Sequence, residues 1–204
     1  MAAQTEQAPT VFIVDDDAAI RFAMQALMDS VNLNHEIFAS ADDFLEKIGE
    51  QRPGCLVLDI RMPGLGGLEL QEELIKRGNT LPIIFITGHG DVPMAVEAMQ
   101  KGAVDFIQKP FRDQELLDRI REALATDEER REEQQHHAEV AGRLERLTNR
   151  EREVFDLVVT GKPNKVIAYE LGVSQRTVEI HRARVMEKMQ ARSLADLVKM
   201  HMTA

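Results

Sequence analysis

The sequence is poor in the features that mark secreted and membrane proteins. A single cysteine in 204 residues excludes an internal disulfide and fits a reducing compartment. The N-terminal stretch MAAQTEQAPT has no basic segment and no apolar segment, and no apolar run approaches the ~20 residues needed to span a bilayer. We therefore expect a cytoplasmic protein with no signal peptide and no membrane segment.

Aromatic residues are also scarce. They make up 4% of the chain and tryptophan is absent, so aliphatic side chains must provide most of the packing. The hydrophobic fraction of 44% is still enough to form real cores. A chain of this length fits one large domain or two ordinary ones.

The excess of negative charge is confined to one part of the chain. Residues 1–125 carry 21 acidic and 11 basic side chains, whereas residues 126–204 carry 14 of each. Between Lys162 and Arg192 there are seven bases and three acids. A surface for a polyanion is therefore expected in this segment and nowhere earlier.

Strand-like and helical patterns alternate over residues 1–125. Short apolar runs favour strands that are covered on both faces. They lie at 11–14, 55–58, 83–86 and 104–107, with a weaker candidate at 35–39. Helical spacing occupies the segments between and after them, at 17–31, 40–50, 66–78, 91–101 and 112–125. Five alternations predict an α/β domain with a doubly wound, five-stranded parallel sheet.

The chain beyond residue 125 has a different character. Residues 126–139 are polar, lack glycine and proline, and carry opposite charges four residues apart, so we expect a helical, semi-rigid linker over 126–143. The apolar spacing of Val140, Leu144 and Leu147 fits either a dimer seam or docking onto the next domain, and the short stripe favours docking. The remainder has only helical patterns, with a capping box at Thr148 and Glu151.

Polar side chains follow four of the predicted strands. Asp15 and Asp16 come after the first run, Asp59 after the second, Thr87 after the third and Lys109 shortly after the fourth. Ligands bind at the carboxyl ends of parallel strands, so these side chains converge if the sheet brings those strands together. Three carboxylates in a small space need a cation, and their oxygens suit Mg²⁺.

Other interpretations of these acidic residues exist. A single aspartate after a strand is most often a helix cap or a solvated loop residue, and we expect Asp17 to cap the first helix. An aspartate-based phosphohydrolase is the enzyme alternative, since Asp15 and Asp17 form an Asp-x-Asp sequence. The chain lacks a segment for the cap domain that such enzymes need.

Residues 167–188 have the pattern of a helix-turn-helix, in which Gly172 makes the turn and Ser174 starts the second helix. At about 100° per residue, Val178, Val185 and Met189 share the buried face of this second helix. The opposite face, edged by Glu179 and Arg184, carries Arg176, Ile180, Ala183 and Glu187. By itself such a pattern is more often structural than DNA-reading, and an output domain that binds protein is the alternative.

The motifs VFIVDDD, LVLDIRMPG, FITGHGD and DFIQKPF follow one another over residues 10–125. This segment resembles the receiver domain of two-component response regulators, and its stretch 87–111 is similar to the FixJ subgroup. The resemblance implies that Asp59 is the phosphoacceptor for a sensor histidine kinase and that Thr87 and Lys109 contact the phosphoryl group. It also implies that Mg²⁺ is held by Asp15, Asp16, Asp59 and the backbone carbonyl of Arg61.

The same resemblance implies a conformational switch. Phe106 takes the place of the family's aromatic switch residue, and since it has no hydroxyl, a switch hydrogen bond from this side chain is excluded. A cis peptide bond is implied between Lys109 and Pro110. Phosphorylation is expected to shift the fourth and fifth strands and the helix at 91–101, and that face is the expected homodimer interface.

Residues 147–189 resemble the LuxR-type DNA-binding domain nearly throughout, and SLADLV after them fits too. The resemblance implies a small all-α domain of four helices over 144–204, after a receiver domain over 1–125, with 174–189 as the recognition helix on promoter DNA. By analogy, Glu179, Ile180 and Ala183 occupy base-reading positions, although many relatives have basic residues where Glu179 and Ala183 stand. Phosphate contacts are expected from Asn164, Lys165, Arg176, Thr177, His181, Arg184 and Lys188.

Three of those assignments have alternatives. Arg176 and Lys188 can be ordinary solvated charges, and His181 can be a packing histidine. Taken together, the two resemblances imply a response regulator transcription factor, not an enzyme, that regulates transcription with RNA polymerase as a partner. Activation is the commoner role in similar proteins, and repression is the alternative.

Overall fold

The computed structural model describes residues 8–49, 52–88 and 92–203. The expectation about a signal peptide concerns mainly residues 1–7, which lie outside these ranges. So do Glu50 and Asp91, which bound two of the predicted helices, and His89 and Gly90 of the FITGHGD motif. Within the described ranges, no helix is both long enough and apolar enough to cross a membrane.

Strands and helices alternate through the first part of the chain. In order they are β1 (Thr10–Val14), α1 (Ala18–Ser30), β2 (His35–Phe38), α2 (Ala41–Lys47), β3 (Gly54–Asp59), α3 (Gly67–Lys76), β4 (Ile83–Thr87), α4 (Val92–Gln100), β5 (Asp105–Gln108) and α5 (Asp113–Glu145). All strand pairs are parallel and the sheet order is β2-β1-β3-β4-β5. The predicted doubly wound, five-stranded parallel sheet is confirmed, with β5 one residue later than the sequence indicates.

The sheet separates two hydrophobic clusters, because successive side chains of a strand point to opposite faces. Phe12 and Val14 of β1 belong to one cluster, with Phe44 of α2 and Leu70 of α3. Val11 and Ile13 belong to the other, with side chains of α1 and α5 that include Met24, Met28, Leu116 and Ile120. Burial on both faces explains why the strands read as continuous apolar runs.

Helix α5 contains both the predicted helix at 112–125 and the predicted linker. Asp127 lies within the linker segment but is buried, and its Oδ2 accepts a hydrogen bond from the backbone N–H of Gly54 at 2.9 Å. The chain divides into two compact units between Arg130 and Arg131, inside this helix. The first turn of the expected linker therefore packs with the sheet.

The second unit is helical. After the end of α5 it contains α6 (Asn149–Val159), α7 (Asn164–Leu171), α8 (Gln175–Met189) and α9 (Leu194–Thr203). Val140, Leu144 and Leu147 are buried in the core of this unit with Phe155, Val178 and Val185, so their stripe docks onto the helical unit. The capping box at Thr148 and Glu151 is present, and Ser174 is the N-cap of α8.

Candidate functional site

The order of the strands gathers the predicted acidic site at one edge of the sheet. Strands β1, β3, β4 and β5 are neighbours, and they carry Asp15, Asp59, Thr87 and Lys109 at or just beyond their carboxyl ends. Asp15 and Thr87 are buried, and Asp59 is 8% exposed. Gly67 at the start of α3 allows that helix to approach, because a Cβ there would lie 2.4 Å from the carbonyl oxygen of Asp59.

The ammonium group of Lys109 joins the two buried carboxylates. Its Nζ lies 2.6 Å from Oδ1 of Asp59 and 3.0 Å from Oδ2 of Asp15. Backbone N–H groups bind the remaining oxygens, with Arg61 donating to Oδ2 of Asp59 at 2.9 Å and Asp17 donating to Oδ1 of Asp15 at 2.8 Å. Each carboxylate is therefore held between a cation and a backbone donor.

Burial sets the electrostatics of this cluster. It raises the pKa of Asp59, and the nearby charge of Asp15 raises it further, while the hydrogen bond and charge of Lys109 and the N–H of Arg61 oppose the shift. Burial acts to lower the pKa of Lys109, but the hydrogen bonds and charges of Asp59 and Asp15 outweigh it and the pKa is raised. Lys109 thus stays charged beside the two aspartates.

Asp16 and Arg61 stand at the rim of the site. Asp16 is exposed whereas Asp15 beside it is buried, as expected for neighbours on an extended segment. Arg61 is exposed, and its backbone N–H faces Asp59. Among the described residues, no three acidic, histidine or cysteine side chains are grouped so as to hold a metal ion. Lys109 therefore brings Asp15 and Asp59 together, whereas Asp16 is exposed beside them.

The sequence singled out four further residues near the acidic site, namely Asp17, Thr87, Phe106 and Pro110. Asp17 is the N-cap of α1, as the sequence indicates, and its side chain accepts from the N–H of Ala19 at 2.7 Å. The hydroxyl of Thr87 donates to the carbonyl of Gly88 at 3.1 Å. Phe106 is 41% exposed on β5, and the peptide bond between Lys109 and Pro110 is cis.

Helix α8 has the two faces that its sequence predicts. Val178, Val185 and Met189 are fully buried. Gly172, at the end of α7, has the left-handed backbone that the turn before α8 requires. Six of the ten predicted DNA contacts are exposed, namely Lys165, Arg176, Glu179, Ile180, Ala183 and Arg184. The other four, Asn164, Thr177, His181 and Lys188, are half-buried.

Those four half-buried residues take part in the packing of the unit. Oδ1 of Asn164 accepts from Arg182 at 3.1 Å, and the hydroxyls of Thr177 and Ser174 are 2.8 Å apart. Nδ1 of His181 is buried and has no hydrogen-bond partner within the described chain. This burial fits the packing alternative for the histidine.

Sequence reasoning missed the partner of Lys188. Its Nζ lies 2.6 Å from Oε2 of the buried Glu151 and 3.0 Å from the carbonyl oxygen of Arg146. The same Oε2 accepts from the N–H of Thr148 at 2.9 Å. The hydrogen bonds from Lys188 and Thr148 outweigh burial and lower the pKa of Glu151 to about 2. No local signal reveals this pair, because its members are 37 positions apart.

Two family models match this chain, one in each of its two units. Residues 11–121 match the model of the response regulator receiver domain, and residues 145–201 match the model of bacterial regulatory proteins of the luxR family. Nodulation protein W of Bradyrhizobium diazoefficiens is 50% identical over 193 residues, covering 95% of this chain and 85% of that protein.

Two further relatives agree. The transcriptional regulatory protein FixJ of Azorhizobium caulinodans is 45% identical over 194 residues, covering 95% of this chain and 92% of that protein. Among solved structures, the response regulator StyR has a TM-score of 0.89 and 44% identity, with 97% of this chain and 100% of that chain covered.

Proposed function

This chain belongs to the response regulators that join a receiver domain to a luxR-type DNA-binding domain, and on that premise we propose that phosphorylation of Asp59 controls its binding to promoter DNA. Like its relatives, it is a transcription factor and not an enzyme. A sensor histidine kinase supplies the phosphoryl group. The phosphorylated form dimerises through its receiver domain and activates transcription with RNA polymerase.

The contact between Asp59, Lys109 and Asp15 carries this proposal. A carboxylate oxygen of Asp59 is the nucleophile, and it sits at the carboxyl end of a central strand, where a phosphodonor can approach. The ammonium of Lys109, 2.6 Å from Oδ1, is placed to offset charge on a phosphoryl group attached there. Thr87 ends the adjacent strand and has a hydroxyl that can turn toward the same group.

Among the described residues no three acidic side chains are grouped around a metal position, but the oxygen donors at the strand ends have the chemistry that suits a divalent cation. Asp15 and Asp59 already share one cation, the ammonium of Lys109, and carboxylate and carbonyl oxygens are the ligands that Mg²⁺ prefers. Asp15, Asp16, Asp59 and the carbonyl of Arg61 would hold it. When bound, Mg²⁺ neutralises charge on the incoming phosphate. Lys109 would then exchange contact with Asp59 for contact with the phosphoryl oxygens.

The proposed switch begins with this exchange. A phosphoryl group adds roughly −1.5 to −2 charges and strong acceptor oxygens at Asp59. Thr87 and Lys109 move toward those oxygens, so the ends of β4 and β5 shift, and Phe106 and α4 repack between two states. The exposed apolar side chains Val96, Met99 and Phe106 of α4 and β5 support the proposal that this face forms the homodimer.

For the output, we propose that α8 enters the major groove of promoter DNA. Its exposed arginines and its small apolar side chains support this role, whereas Lys188 and His181 are engaged in packing. We propose a receiver domain over 1–125, a helical linker over 126–143 and a DNA-binding domain over 144–204. A protein that acts on promoter DNA works in the cytoplasm of a bacterium, which is the location we propose.

Labelling with a small phosphodonor tests the phosphoacceptor. Acetyl phosphate with Mg²⁺ should add one phosphoryl group to the wild-type chain, seen by intact mass, and none to Asp59→Asn. Asp118→Asn is the control, because Asp118 is exposed on α5, away from the strand ends. Omission of Mg²⁺ should also prevent labelling. Undiminished incorporation in Asp59→Asn would refute the assignment.

A further inference from the structure

Helix α8 carries an acidic side chain on the face that is proposed to read DNA. We infer that Glu179 is a specificity-determining residue, whose carboxylate accepts a hydrogen bond from the amino group of a cytosine in the major groove. Each half-site of the operator then contains one cytosine that the protein requires. The inference rests on the proposed DNA-binding function and adds the base that is read.

The position of Glu179 on α8 is the first support. The helix begins at Gln175, and Val178 beside Glu179 is fully buried in the core, which turns Glu179 outward. Recognition helices contact base edges with their N-terminal residues. Glu179 lies one turn from the start of α8, roughly 6 Å along its axis. It is exposed and has Ile180 and Ala183 as exposed neighbours on the helix surface.

The second support is that the fold makes no use of this carboxylate. Several other acids of the helical unit are engaged, since Glu151 pairs with Lys188, Glu170 with Lys162, and Asp196 binds backbone N–H groups. Within the described chain, Glu179 has no hydrogen-bond or ion-pair partner, and the only other acid of α8, Glu187, has none either. Glu179 is therefore available to a ligand.

A carboxylate brought into a groove between phosphates must find a donor. It loses water there and is repelled by the phosphates, so an unpaired carboxylate weakens binding. In the major groove, only cytosine N4 and adenine N6 offer amino groups. Adenine places the acceptor N7 beside N6, which repels a carboxylate, whereas cytosine presents its amino group as its single polar atom in the groove. Cytosine is therefore the base that satisfies Glu179.

The side chains next to Glu179 predict further features of the DNA sequence of the operator. Ile180 is 47% exposed and Ala183 is exposed, and neither has a polar group to offer a base. Such side chains contact the methyl group of thymine. Arg176 and Arg184 are exposed cations without partners in the described chain, and they offset the negative charge of Glu179 near the phosphates.

Binding selection from random duplex DNA tests the inference with the full-length phosphorylated chain. The wild type should enrich a cytosine at one position of each half-site. Glu179→Gln should lose that cytosine and enrich adenine at the same position, because glutamine pairs with N6 and N7 of adenine. Replacing the cytosine should weaken wild-type binding about fivefold to 150-fold.

Glu187→Gln is the matched control. It removes the same charge from the same helix, but Glu187 lies eight residues further along, near the C-terminal end of α8, and its selected site should be that of the wild type. The inference is wrong if the wild type enriches an operator in which Glu179→Gln changes no position. If no chain enriches any sequence, both the inference and the proposed DNA-binding function are refuted.

Discussion

Lys188 offers the sharpest test of the structure, because sequence and structure give it different roles. The sequence predicts that Lys188 contacts a DNA phosphate. In the structure its ammonium pairs instead with Glu151, whose side chain is only 3% exposed. Substitution Lys188→Met removes the partner of a buried carboxylate. Breaking such a pair costs about 3–5 kcal/mol, since one charge remains buried and uncompensated. The side chain of Lys188 is 34% exposed, which lets water reach the carboxylate, so we expect about 3 kcal/mol.

Hydrogen exchange followed by mass spectrometry measures this loss in the helical unit alone. A loss of about 3 kcal/mol raises the exchange rate of the slowest amides of α6 and α8 by roughly 150-fold. Lys162→Met is the control, because its pair with Glu170 is more than one-third exposed on both sides and is expected to contribute at most about 1 kcal/mol. The double variant with Glu151→Gln should recover part of the loss, since no unpaired charge remains.

The pH dependence has a defined sign. Because the pKa of Glu151 falls from 4.5 to about 2 in the folded chain, its ion pair stabilises the helical unit above pH 4.5 and is lost as the pH falls toward 2. Glu151→Gln should lack this part of the acid sensitivity.

DNA binding separates the two roles of Lys188. If it is structural, Lys188→Met leaves the salt dependence of binding unchanged under conditions where the variant is folded. Arg184→Met, at an exposed arginine, should lower the salt slope by about one. An unchanged exchange rate in Lys188→Met, together with a slope lowered by about one, would refute our interpretation.

Two further substitutions test buried hydrogen bonds of the receiver unit, both by urea unfolding. Asp127→Ala should cost about 1–3 kcal/mol, because the N–H of Gly54 loses its acceptor, while Asp127→Asn keeps an oxygen there and should cost less; equal losses would contradict this. Gln71→Leu should change stability by less than about 1 kcal/mol or increase it, since Oε1 of Gln71 is buried without a partner in the described chain and the carbonyl of Ala98 keeps its bond from Ala103. A large loss would show that the bond from Gln71 to Ala98 matters.

The sequence by itself determined the elements and their chemistry. Continuous apolar runs predicted a parallel sheet covered on both faces, and polar residues after those runs predicted the cluster at the strand ends. The sequence also predicted the capping box at Thr148 and Glu151 and the buried face of α8, because each depends on residues a few positions apart. Local spacing is enough for such features, since hydrogen bonds and side-chain periodicity within one element repeat over short distances.

The tertiary structure decided which of these side chains are used, and for what. Lys109, which follows β5, contacts Asp15 after β1 and Asp59 at the end of β3. Asp127 binds Gly54, which is 73 positions away, and Lys188 binds Glu151, which is 37 positions away. At about 100° per residue, Lys188 lies only about 40° closer to the buried face of α8 than Arg184, and this small difference does not reveal a buried partner. The role of Lys188 follows from burial of a carboxylate on another helix, and burial depends on how distant segments pack, which the spacing of residues along one helix does not encode.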